Sequence, residues 1–319
     1  MSKTRLGFVG AGAFTEMCLR AYRQFLPNVE VVAITDLDVE QANRVAQQQE
    51  IATVAKSPTE LFELDSVDIA IILTPPNTHF QLAMEALENE KNVLVEKPIA
   101  FSVADAKQLI GLAESKGKSL AANLILRYHP FHQQIKKVIE EGKFGQLKEI
   151  VTHALMAGYP EDHWYWDSST SGGFFLNTYC HFIDLYNYIV GEKPIEFHCQ
   201  QKPGHAHLIE LDFPTVKATL SANLDVSNQQ ESVETKYLFE RGTITTFGWL
   251  PERMIISDGK SQYELDDDQT KDYRYKQLLA NVVSDLIQRS SDPTITSRVN
   301  HDVLLESVRQ PLLVSSRVK

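Results

Sequence analysis

Cysteine is scarce in this sequence, and basic residues are in deficit. Only three cysteines occur, Cys18, Cys180 and Cys199, an odd number with no CxxC spacing. This argues against a disulfide framework or a zinc site and is typical of reduced thiols in a cytosol, so we expect a cytoplasmic protein without a metal. The 31 Lys and Arg are outnumbered by 42 Asp and Glu, which gives a net charge of −11. Such a surface repels nucleic acid and anionic membranes, and we expect neither as a partner.

Long apolar runs and segments rich in glycine or proline are also lacking. The chain holds 15 Gly and 13 Pro, and 43% of its residues are hydrophobic and 23% charged. These values are typical of folded globular proteins and exclude disordered or fibrous ones. No uninterrupted apolar stretch approaches the ~20 residues that a membrane helix needs. With 319 residues, the chain is long enough for one large domain or two ordinary ones.

The first part of the chain alternates short β-branched runs with amphipathic helical stretches. This rhythm predicts crossover units on a parallel sheet. Ser57 and Ser102 supply N-caps for two of the helices. The strand candidates are apolar almost throughout, as strands covered on both faces should be; they are Leu6–Val9, Val29–Ile34, Ile69–Leu73, Val93–Val95 and Leu120–Ala122. We therefore expect an α/β domain over residues 1–123.

The rhythm changes after this point. Val216–Leu224 alternates apolar and polar side chains in period two, and residues 207–213 and 233–239 do so less regularly. The alternation predicts an α+β domain over residues 124–319 with a large, mainly antiparallel sheet that has one open face. That open face predicts a homodimer or homotetramer. Helices are expected at His129–Glu141, Leu176–Val190, Tyr273–Arg289 and Val303–Val314, the last of which can pack back toward the first domain.

A glycine turn follows the first predicted strand and begins a helix. Gly10 permits the tight turn, and Gly12 lets the backbone approach a pyrophosphate at the positive end of the helix, together with Ala13 and Phe14. The usual dinucleotide-binding pattern has Gly or Ala at its third position, where this sequence has Thr15, so the match is incomplete. The turn predicts a nicotinamide dinucleotide as cofactor.

Asp36 strengthens this prediction. It ends the second predicted strand, where a carboxylate can accept hydrogen bonds from the ribose hydroxyls of the adenosine half. The same carboxylate repels a 2′-phosphate, and the next residue is Leu37 rather than an arginine, so we expect NAD to be preferred over NADP. The alternative is that Asp36 and Asp38 only begin a helix.

Two further loops follow predicted strands of the parallel sheet. The first has the sequence Thr-Pro-Pro-Asn-Thr-His, and the second is Glu-Lys-Pro, with Lys97 at its centre. Both lie where ligands bind such sheets, outside the carboxyl ends of the strands. Pro98 can turn Lys97 into the cleft, where a lysine can exchange a proton with a substrate; the alternative is a surface lysine paired with Glu96. The residues expected to border the nicotinamide half are Thr74, Pro75, Asn77, His79, Glu96 and Lys97.

These loops, the glycine turn and the later segment Ser171–Asp184 occur in an order that resembles the glucose-fructose oxidoreductase, inositol dehydrogenase and rhizopine catabolism family (Gfo/Idh/MocA). The resemblance covers nearly the whole chain. It implies an N-terminal Rossmann domain, a C-terminal α/β domain whose open sheet commonly forms the oligomer interface, and NAD(P)-dependent chemistry on sugars, cyclitols or related compounds. It also implies that Lys97 and His181 are the catalytic residues.

The later segment departs from the family pattern at two positions. Asn177 stands where the family usually has aspartate, and Tyr179 where it has glycine. An amide can hydrogen-bond a substrate hydroxyl but cannot take up its proton, so Lys97 or His181 must do so. Tyr179 either narrows the pocket, offers its phenol to the substrate or fills space against the helix. Asp184, three residues after His181, can support the imidazole or make an unrelated structural contact.

Other candidate substrate contacts are Arg127 and an aromatic segment. Arg127 follows the last strand of the first domain and can bind a hydroxyl-rich or anionic substrate, or an acid such as Glu96. Tyr159–Trp166 packs five ring-bearing residues together, among them Trp166, and such rings stack equally well on a sugar or against a neighbouring domain. The ten histidines lack a familiar metal-ligand spacing, and we expect no metal.

The sequence thus predicts an oxidoreductase that transfers a hydride between a polyol carbinol and nicotinamide, with a small molecule as substrate. Two alternatives stay open. One is reduction of a non-sugar acceptor such as an imine or enone, which the changes at Asn177 and Tyr179 permit. The other is a non-catalytic nucleotide sensor on the same fold, against which the presence of both Lys97 and His181 argues.

Overall fold

The computed structural model describes residues 3–160, 162–203, 205–226 and 231–318. The chain divides into two compact units, each of which gathers separate stretches of sequence. The first contains Met1–Ile125, Ser168–Asn177 and Lys276–Arg309, and the second contains Leu126–Asp167, Thr178–Tyr275 and Gln310–Lys319. The single domain boundary at residue 123 that the sequence predicts stays a proposal.

A parallel six-stranded sheet forms the centre of the first unit. Its order is β3-β2-β1-β4-β5-β6, so the chain reverses direction across the sheet between β1 and β4. Ligands bind such sheets at this reversal, outside the carboxyl ends of the strands. The strands are Thr4–Val9 (β1), Val29–Thr35 (β2), Thr53–Val54 (β3), Ile69–Ile72 (β4), Asn92–Val95 (β5) and Leu120–Ala122 (β6). All four residues of β4 are buried, as the uninterrupted apolar sequence predicts.

Helices connect these strands, and their start signals function as expected. The Ser57 side chain accepts a hydrogen bond from the Glu60 amide, and Ser102 does the same for Asp105 (3.0 Å). Each bond satisfies one amide that the first helical turn leaves without a partner. The helices are Ala13–Phe25 (α1), Val39–Gln48 (α2), Pro58–Glu63 (α3), His79–Glu88 (α4) and Val103–Lys116 (α5).

An eight-stranded sheet dominates the second unit, in the order β14-β13-β12-β11-β7-β10-β9-β8. The strands are Leu147–Ala157 (β7), Glu196–Lys202 (β8), Ala206–Asp212 (β9), Lys217–Val226 (β10), Ser232–Phe239 (β11), Gly242–Phe247 (β12), Arg253–Ser257 (β13) and Gln262–Asp266 (β14). Only β7 and β10 pair in parallel; the other described pairs are antiparallel. Alternate residues of β9 and β11 are buried. The predicted fold class, a parallel Rossmann sheet plus a mainly antiparallel one, is confirmed.

The remaining helices follow the predictions with one notable difference. The helix predicted over Leu176–Val190 begins as a π-helical turn over Phe175–Tyr179 and becomes α-helical only from Cys180. Such turns occur frequently at functional sites. The helices are Pro130–Glu140 (α6), Ser168–Ser171 (α7), Cys180–Val190 (α8), Lys271–Ser291 (α9) and His301–Ser315 (α10). None of the helices in the described part of the chain has both the length and the apolar character that a membrane span requires.

Two buried histidines lie at the start of α6. His129 caps the helix by accepting a hydrogen bond from the Phe131 amide (3.2 Å), and the Nδ1 atom of His132 lies 2.9 Å from Leu126 O. Their rings lie 5.2 Å apart. Burial lowers the pKa of His129 to about 2 and that of His132 to about 4. At His129, the charges of His132 and Arg274 lower the pKa further. Both rings are therefore neutral in the folded protein near neutral pH.

We predict that acid destabilises the protein through these two rings. An unfolded histidine takes up a proton near pH 6.5, whereas the folded rings resist protonation until about pH 4 or below. Between these values the unfolded state binds more protons, so the free energy of unfolding falls by ~1.4 kcal/mol per pH unit for each ring. Denaturant titrations between pH 7 and 4.5 measure this slope. His132→Gln, which keeps a donor for Leu126 O, should make the slope shallower; an unchanged slope would contradict the assignment.

Candidate functional site

The glycine turn lies between β1 and α1 and leaves the start of that helix uncapped. Gly10 has a φ of +102°, and a Cβ there would lie 2.8 Å from Leu73 O. Gly12 is the N-cap residue, with no side-chain hydrogen bond from the described residues, and a Cβ on it would meet nothing within 4 Å. The first-turn amides of α1 are thus available to an anion. Thr15, the departure from the usual pattern, is fully buried and donates to Gly10 O (2.9 Å).

Asp36 directly follows β2 and lies beside this turn. Its Oδ2 atom accepts a hydrogen bond from the Ala11 amide (2.6 Å), and its Oδ1 atom accepts one from the Asp38 amide (2.8 Å). Asp38 in turn caps α2, so the two carboxylates have separate roles. Asp36 is half-exposed, which leaves lone pairs of its oxygens for a ribose hydroxyl. Leu37 beside it is 98% exposed.

The Thr74–His79 loop joins β4 to α4. Thr74 is half-exposed, and Pro75 and Asn77 are exposed, so these three can line a ligand site. The Thr74 and Thr78 hydroxyls share a hydrogen bond of 2.7 Å. His79 differs from the others because its side chain is fully buried, and both of its ring nitrogens lie 2.8 Å from backbone carbonyls. A buried ring has no surface for a cofactor, so the cofactor contact expected of His79 can only come from its backbone.

Glu96 follows β5, is half-buried and belongs to a polar cluster. Its carboxylate accepts hydrogen bonds from the Asn123 side chain (2.6 Å) and from the Lys97 amide (3.1 Å). Burial raises the pKa of Glu96, while the neighbouring Lys97 charge and the Asn123 bond oppose that rise. Burial raises the pKa of the Cys18 thiol and of the Tyr22 phenol, and the negative charge of Glu96 also raises both. Glu96 therefore holds the start of the Lys97 turn through the backbone.

Lys97 is the centre of the site in the first unit. Its Nζ atom donates to the backbone oxygen of Asn177 (2.6 Å) and to the Oδ1 atom of the same residue (2.9 Å). The peptide bond to Pro98 is cis. The alternative of a surface lysine paired with the Glu96 carboxylate does not describe this geometry, because Glu96 receives the Lys97 amide and the ammonium goes to Asn177. Asn177 is 8% exposed.

Two glycines shape the loop that presents Asn177. Gly172 and Gly173 both have a φ of +76°, a backbone conformation that favours glycine. A Cβ on Gly172 would also lie 2.8 Å from the Phe101 ring. The Ser171 hydroxyl accepts a hydrogen bond from the Gly173 backbone amide (2.9 Å), and the Ser171 carbonyl oxygen lies 3.5 Å from the side-chain Nδ2 atom of Asn177. The glycines are thus required by the close turn that places Asn177 against Lys97.

The second unit holds His181, one residue into α8. Its ring lies edge to face against Trp249, with centroids 5.1 Å apart, and Trp249 makes the same kind of contact with Phe182 (5.3 Å). Asp184, which could have supported the imidazole, instead accepts two hydrogen bonds from Arg127, at 2.8 and 2.7 Å. Both members of this pair are buried. Arg127 thus binds an acid, as one of the two sequence interpretations allowed, and the acid is Asp184 rather than Glu96.

Tyr179 and the aromatic segment complete the second unit's candidates. Tyr179 is fully buried, and its hydroxyl lies 2.8 Å from the Nδ1 atom of His207 on β9, so its phenol meets a protein partner. In the aromatic segment, Tyr159 stacks on His163 with centroids 4.5 Å apart, and Tyr165 shares a hydrogen bond with Thr178. Trp166 lies 4.5 Å from the His205 ring. These rings pack largely on one another, and Tyr159 and Trp164 are the exposed members.

Comparisons with known proteins identify the family of this chain. A protein-family model described as an oxidoreductase family with an NAD-binding Rossmann fold matches residues 4–124. A second model, the GFO/IDH/MocA C-terminal domain, matches residues 132–245. The chain belongs to the Gfo/Idh/MocA family. The resemblance carried by the sequence motifs is therefore confirmed, and the protein is an oxidoreductase of that family.

Individual relatives and solved structures of the same fold carry different names. An inositol 2-dehydrogenase from Rubrobacter xylanophilus is 29% identical over 59% of this chain and 52% of its own. The chain spans about half the length of several curated relatives that it matches. KijD10, a 3-ketoreductase from Actinomadura kijaniata solved with NADP, covers 100% of this chain and 98% of its own, with a TM-score of 0.85 at 19% identity. GenD2 from gentamicin A biosynthesis, solved with NAD, covers 99% and 94% with a TM-score of 0.86 at 17% identity.

Several residues of the site were not singled out from the sequence. Asn123 follows β6 and binds Glu96, and its position after a parallel strand is the same signal that identified the other loops. Ser171 has no such signal beyond its neighbouring glycines. Trp249 lies between two antiparallel strands, far from His181 in sequence, so no local pattern connects them. These contacts arise from tertiary packing.

Proposed function

We propose that this family member is an NAD-dependent oxidoreductase that moves a hydride between a carbinol carbon of a sugar, cyclitol or related polyol and the nicotinamide ring. The observation that carries the proposal is the double contact of Lys97 Nζ with Asn177. One relative is named inositol 2-dehydrogenase, which supports this substrate class.

Lys97 exchanges the hydroxyl proton in this proposal. A charged lysine has three N–H donors, and two of its contacts are taken by the Asn177 oxygens. The third N–H of the charged lysine can donate a hydrogen bond to a substrate hydroxyl. When Lys97 is neutral, it keeps both bonds to Asn177 and aims its lone pair along that third direction. It can then accept the hydroxyl proton as the C–H bond gives up its hydride and the carbon–oxygen bond becomes a carbonyl.

The nicotinamide cofactor, when bound, supplies the hydride acceptor or donor. Gly10, Gly12, Ala13 and Phe14 fit its pyrophosphate, because no side chain in the described part of the chain caps the first turn of α1. Thr74, Pro75 and Asn77 line the loop after β4, next to the strand that ends at Glu96. His181 is proposed as a second proton-transfer group, and Arg127, Trp166 and Tyr179 as residues that shape the substrate side.

We predict that NAD is preferred over NADP because Asp36 occupies the ribose position. A 2′-phosphate would lie beside a carboxylate, and the exposed neighbour is Leu37, which offers it no positive charge. Fluorescence titration of NADH and NADPH measures the two dissociation constants, and we expect NADH to bind at least ~10-fold more tightly, the equivalent of ~1.4 kcal/mol. Asp36→Ser should reduce the difference between the dissociation constants of NADH and NADPH. Equal affinities in the unmodified protein would contradict the role of Asp36.

The substrate class is tested by a turnover screen. Reduction of NAD is followed by absorbance across inositols, aldoses, sugar acids and nucleotide-linked sugars, and the reverse reaction with the matching ketones. The proposal expects turnover with at least one polyol or its ketone. Turnover only with imines or enones would show that the substrate is a non-sugar acceptor. Binding of NADH without any turnover would favour a nucleotide sensor.

We further propose that the protein acts in the cytoplasm as a homodimer or homotetramer. Leu155, on the central strand β7, is 42% exposed, which is compatible with a partner on that face of the sheet. Light scattering that reports a monomer at working concentration would remove the oligomer from the proposal.

A further inference from the structure

His79 is a fully buried imidazole with an unusual pair of neighbours. Its Nδ1 atom lies 2.8 Å from the carbonyl oxygen of Pro98, and its Nε2 atom lies 2.8 Å from the carbonyl oxygen of Thr74. Each of these distances is that of a good hydrogen bond. The ring therefore touches two segments of backbone that are more than twenty residues apart in sequence, and it does so with both of its polar atoms.

The chemistry of the two neighbours restricts the ring. A carbonyl oxygen only accepts hydrogen bonds, so each contact needs an N–H on the imidazole, and the neutral ring has one. Burial lowers the pKa of His79, and the charge of Lys97 lowers it further, while the bonds to Pro98 and Thr74 and the Glu96 backbone raise it. One bond is thus present in either protonation state, and the second is complete only in the doubly protonated ring.

The two carbonyls belong to the loops that build the site. Thr74 follows β4, and Pro98 follows Lys97 at the end of β5; β4 and β5 are neighbours in the sheet. The imidazole bridges the loops at the point where they leave these strands. A shift of Pro98 would move the backbone of Lys97 directly, because the two residues are adjacent.

We propose that His79 is a positioning residue for Lys97: it ties the Thr74 loop to the Lys97–Pro98 turn and fixes the direction from which the Lys97 side chain reaches Asn177. His79 then affects turnover without touching the cofactor. The inference rests on the proposed function, because it assumes that Lys97 exchanges the proton.

Two substitutions separate this role from a general effect of burial. His79→Phe fills the same space without any donor, whereas His79→Gln retains an amide nitrogen with two N–H donors. A misplacement of about 1 Å can cost ~100-fold in rate, so we expect kcat to fall by ~100-fold for Phe and much less for Gln. The dissociation constant of NADH should change little in both. His132→Phe, a similar change at a buried histidine of the other unit, serves as the control for lost packing, and its kcat should stay close to that of the unmodified protein.

Each outcome of this comparison decides the inference. Equal losses of kcat for Phe and Gln, or a weakening of NADH binding as large as the loss of kcat, would overturn it. If His79→Phe does not fold, His79→Gln and nitrogen-15 spectra of the unmodified protein decide: the inference requires a slowly exchanging N–H on the ring at neutral pH and a second one on acidification. If Lys97→Ala retains turnover, the proposed function fails instead, whatever the His79 variants do.

Discussion

Replacing Lys97 with alanine is expected to abolish most turnover and leave NADH binding intact. The substitution removes the nitrogen that exchanges the hydroxyl proton, and a positioned acid or base contributes about 10²- to 10⁴-fold to rate. The turn itself should persist, because the Lys97 amide still donates to Glu96 and His79 still contacts Pro98. Steady-state kcat and fluorescence titration of NADH on the same preparation measure the two effects.

Lys91 provides a matched control for this experiment. It lies just before β5, and its Nζ atom also donates to a backbone carbonyl, that of Leu64 (2.8 Å). Lys91→Ala removes an equally long, mostly buried side chain from the same unit without approaching Asn177. We expect its kcat to match that of the unmodified protein. Equal losses in both variants would show that the Lys97 effect reflects stability, and retained turnover in Lys97→Ala would refute its role.

Breaking the Arg127–Asp184 pair is expected to cost the most stability of any single change described for this chain. The two side chains are 8% and 4% exposed and joined by two hydrogen bonds. Asp184→Ala leaves a buried guanidinium without its carboxylate, and removal of one partner of a buried pair costs about 3–5 kcal/mol. The Tyr188 ring, 5.3 Å from the guanidinium carbon, offsets only part of this loss. Denaturant unfolding monitored by circular dichroism measures the difference.

The double substitution Arg127→Met with Asp184→Leu completes the test. It removes both charges and replaces them with apolar side chains of similar size, which often restores or exceeds the original stability. If Arg127 only stabilises the fold, this variant should also retain kcat and KM. A large rise in KM with normal stability would instead favour the substrate contact considered from the sequence. A double variant as unstable as Asp184→Ala would contradict the ion-pair account.

The parallel sheet was predictable from the sequence because its strands are covered on both faces. Val29–Ile34 and Leu120–Ala122 read as apolar runs and match β2 and β6 within one residue. The central strand β7 escaped prediction, since the period of two that its buried residues keep from Ile150 onward is broken at its start. Leu147 and Ile150 are buried three positions apart, and the register against β11 shifts at this point. A bulge of this kind depends on the partner strand and leaves no local signal.

The acidic run Asp266, Asp267 and Asp268 has the sequence of a solvated turn, because runs of like charge usually lie at the surface. Asp267 is instead buried and accepts hydrogen bonds from Arg274, one of them 2.6 Å long. The Arg274 guanidinium lowers the pKa of Asp267 against the effect of burial. Charge runs are usually exposed, and only the tertiary structure shows which member meets a cation.

The candidate site was predictable where its residues follow strands, and not where distant segments meet. Lys97 could be singled out because parallel strand ends gather at one edge of the sheet. Asn177 was expected to contact the substrate, and the structure adds that its two oxygens hold Lys97. The ring contact between His181 and Trp249 joins residues more than sixty positions apart, which no spacing in the sequence connects.

Transfer of deuterium tests the central claim most directly. A polyol substrate from the turnover screen is labelled with deuterium at its carbinol carbon and incubated with NAD, and the NADH formed is examined by mass spectrometry. The account predicts one deuterium in each NADH with the unmodified protein and with Lys91→Ala, and a loss of labelled product by about 10²-fold or more with Lys97→Ala. Unlabelled NADH from the unmodified protein, or labelled NADH formed by Lys97→Ala at the rate of the unmodified protein, would contradict it.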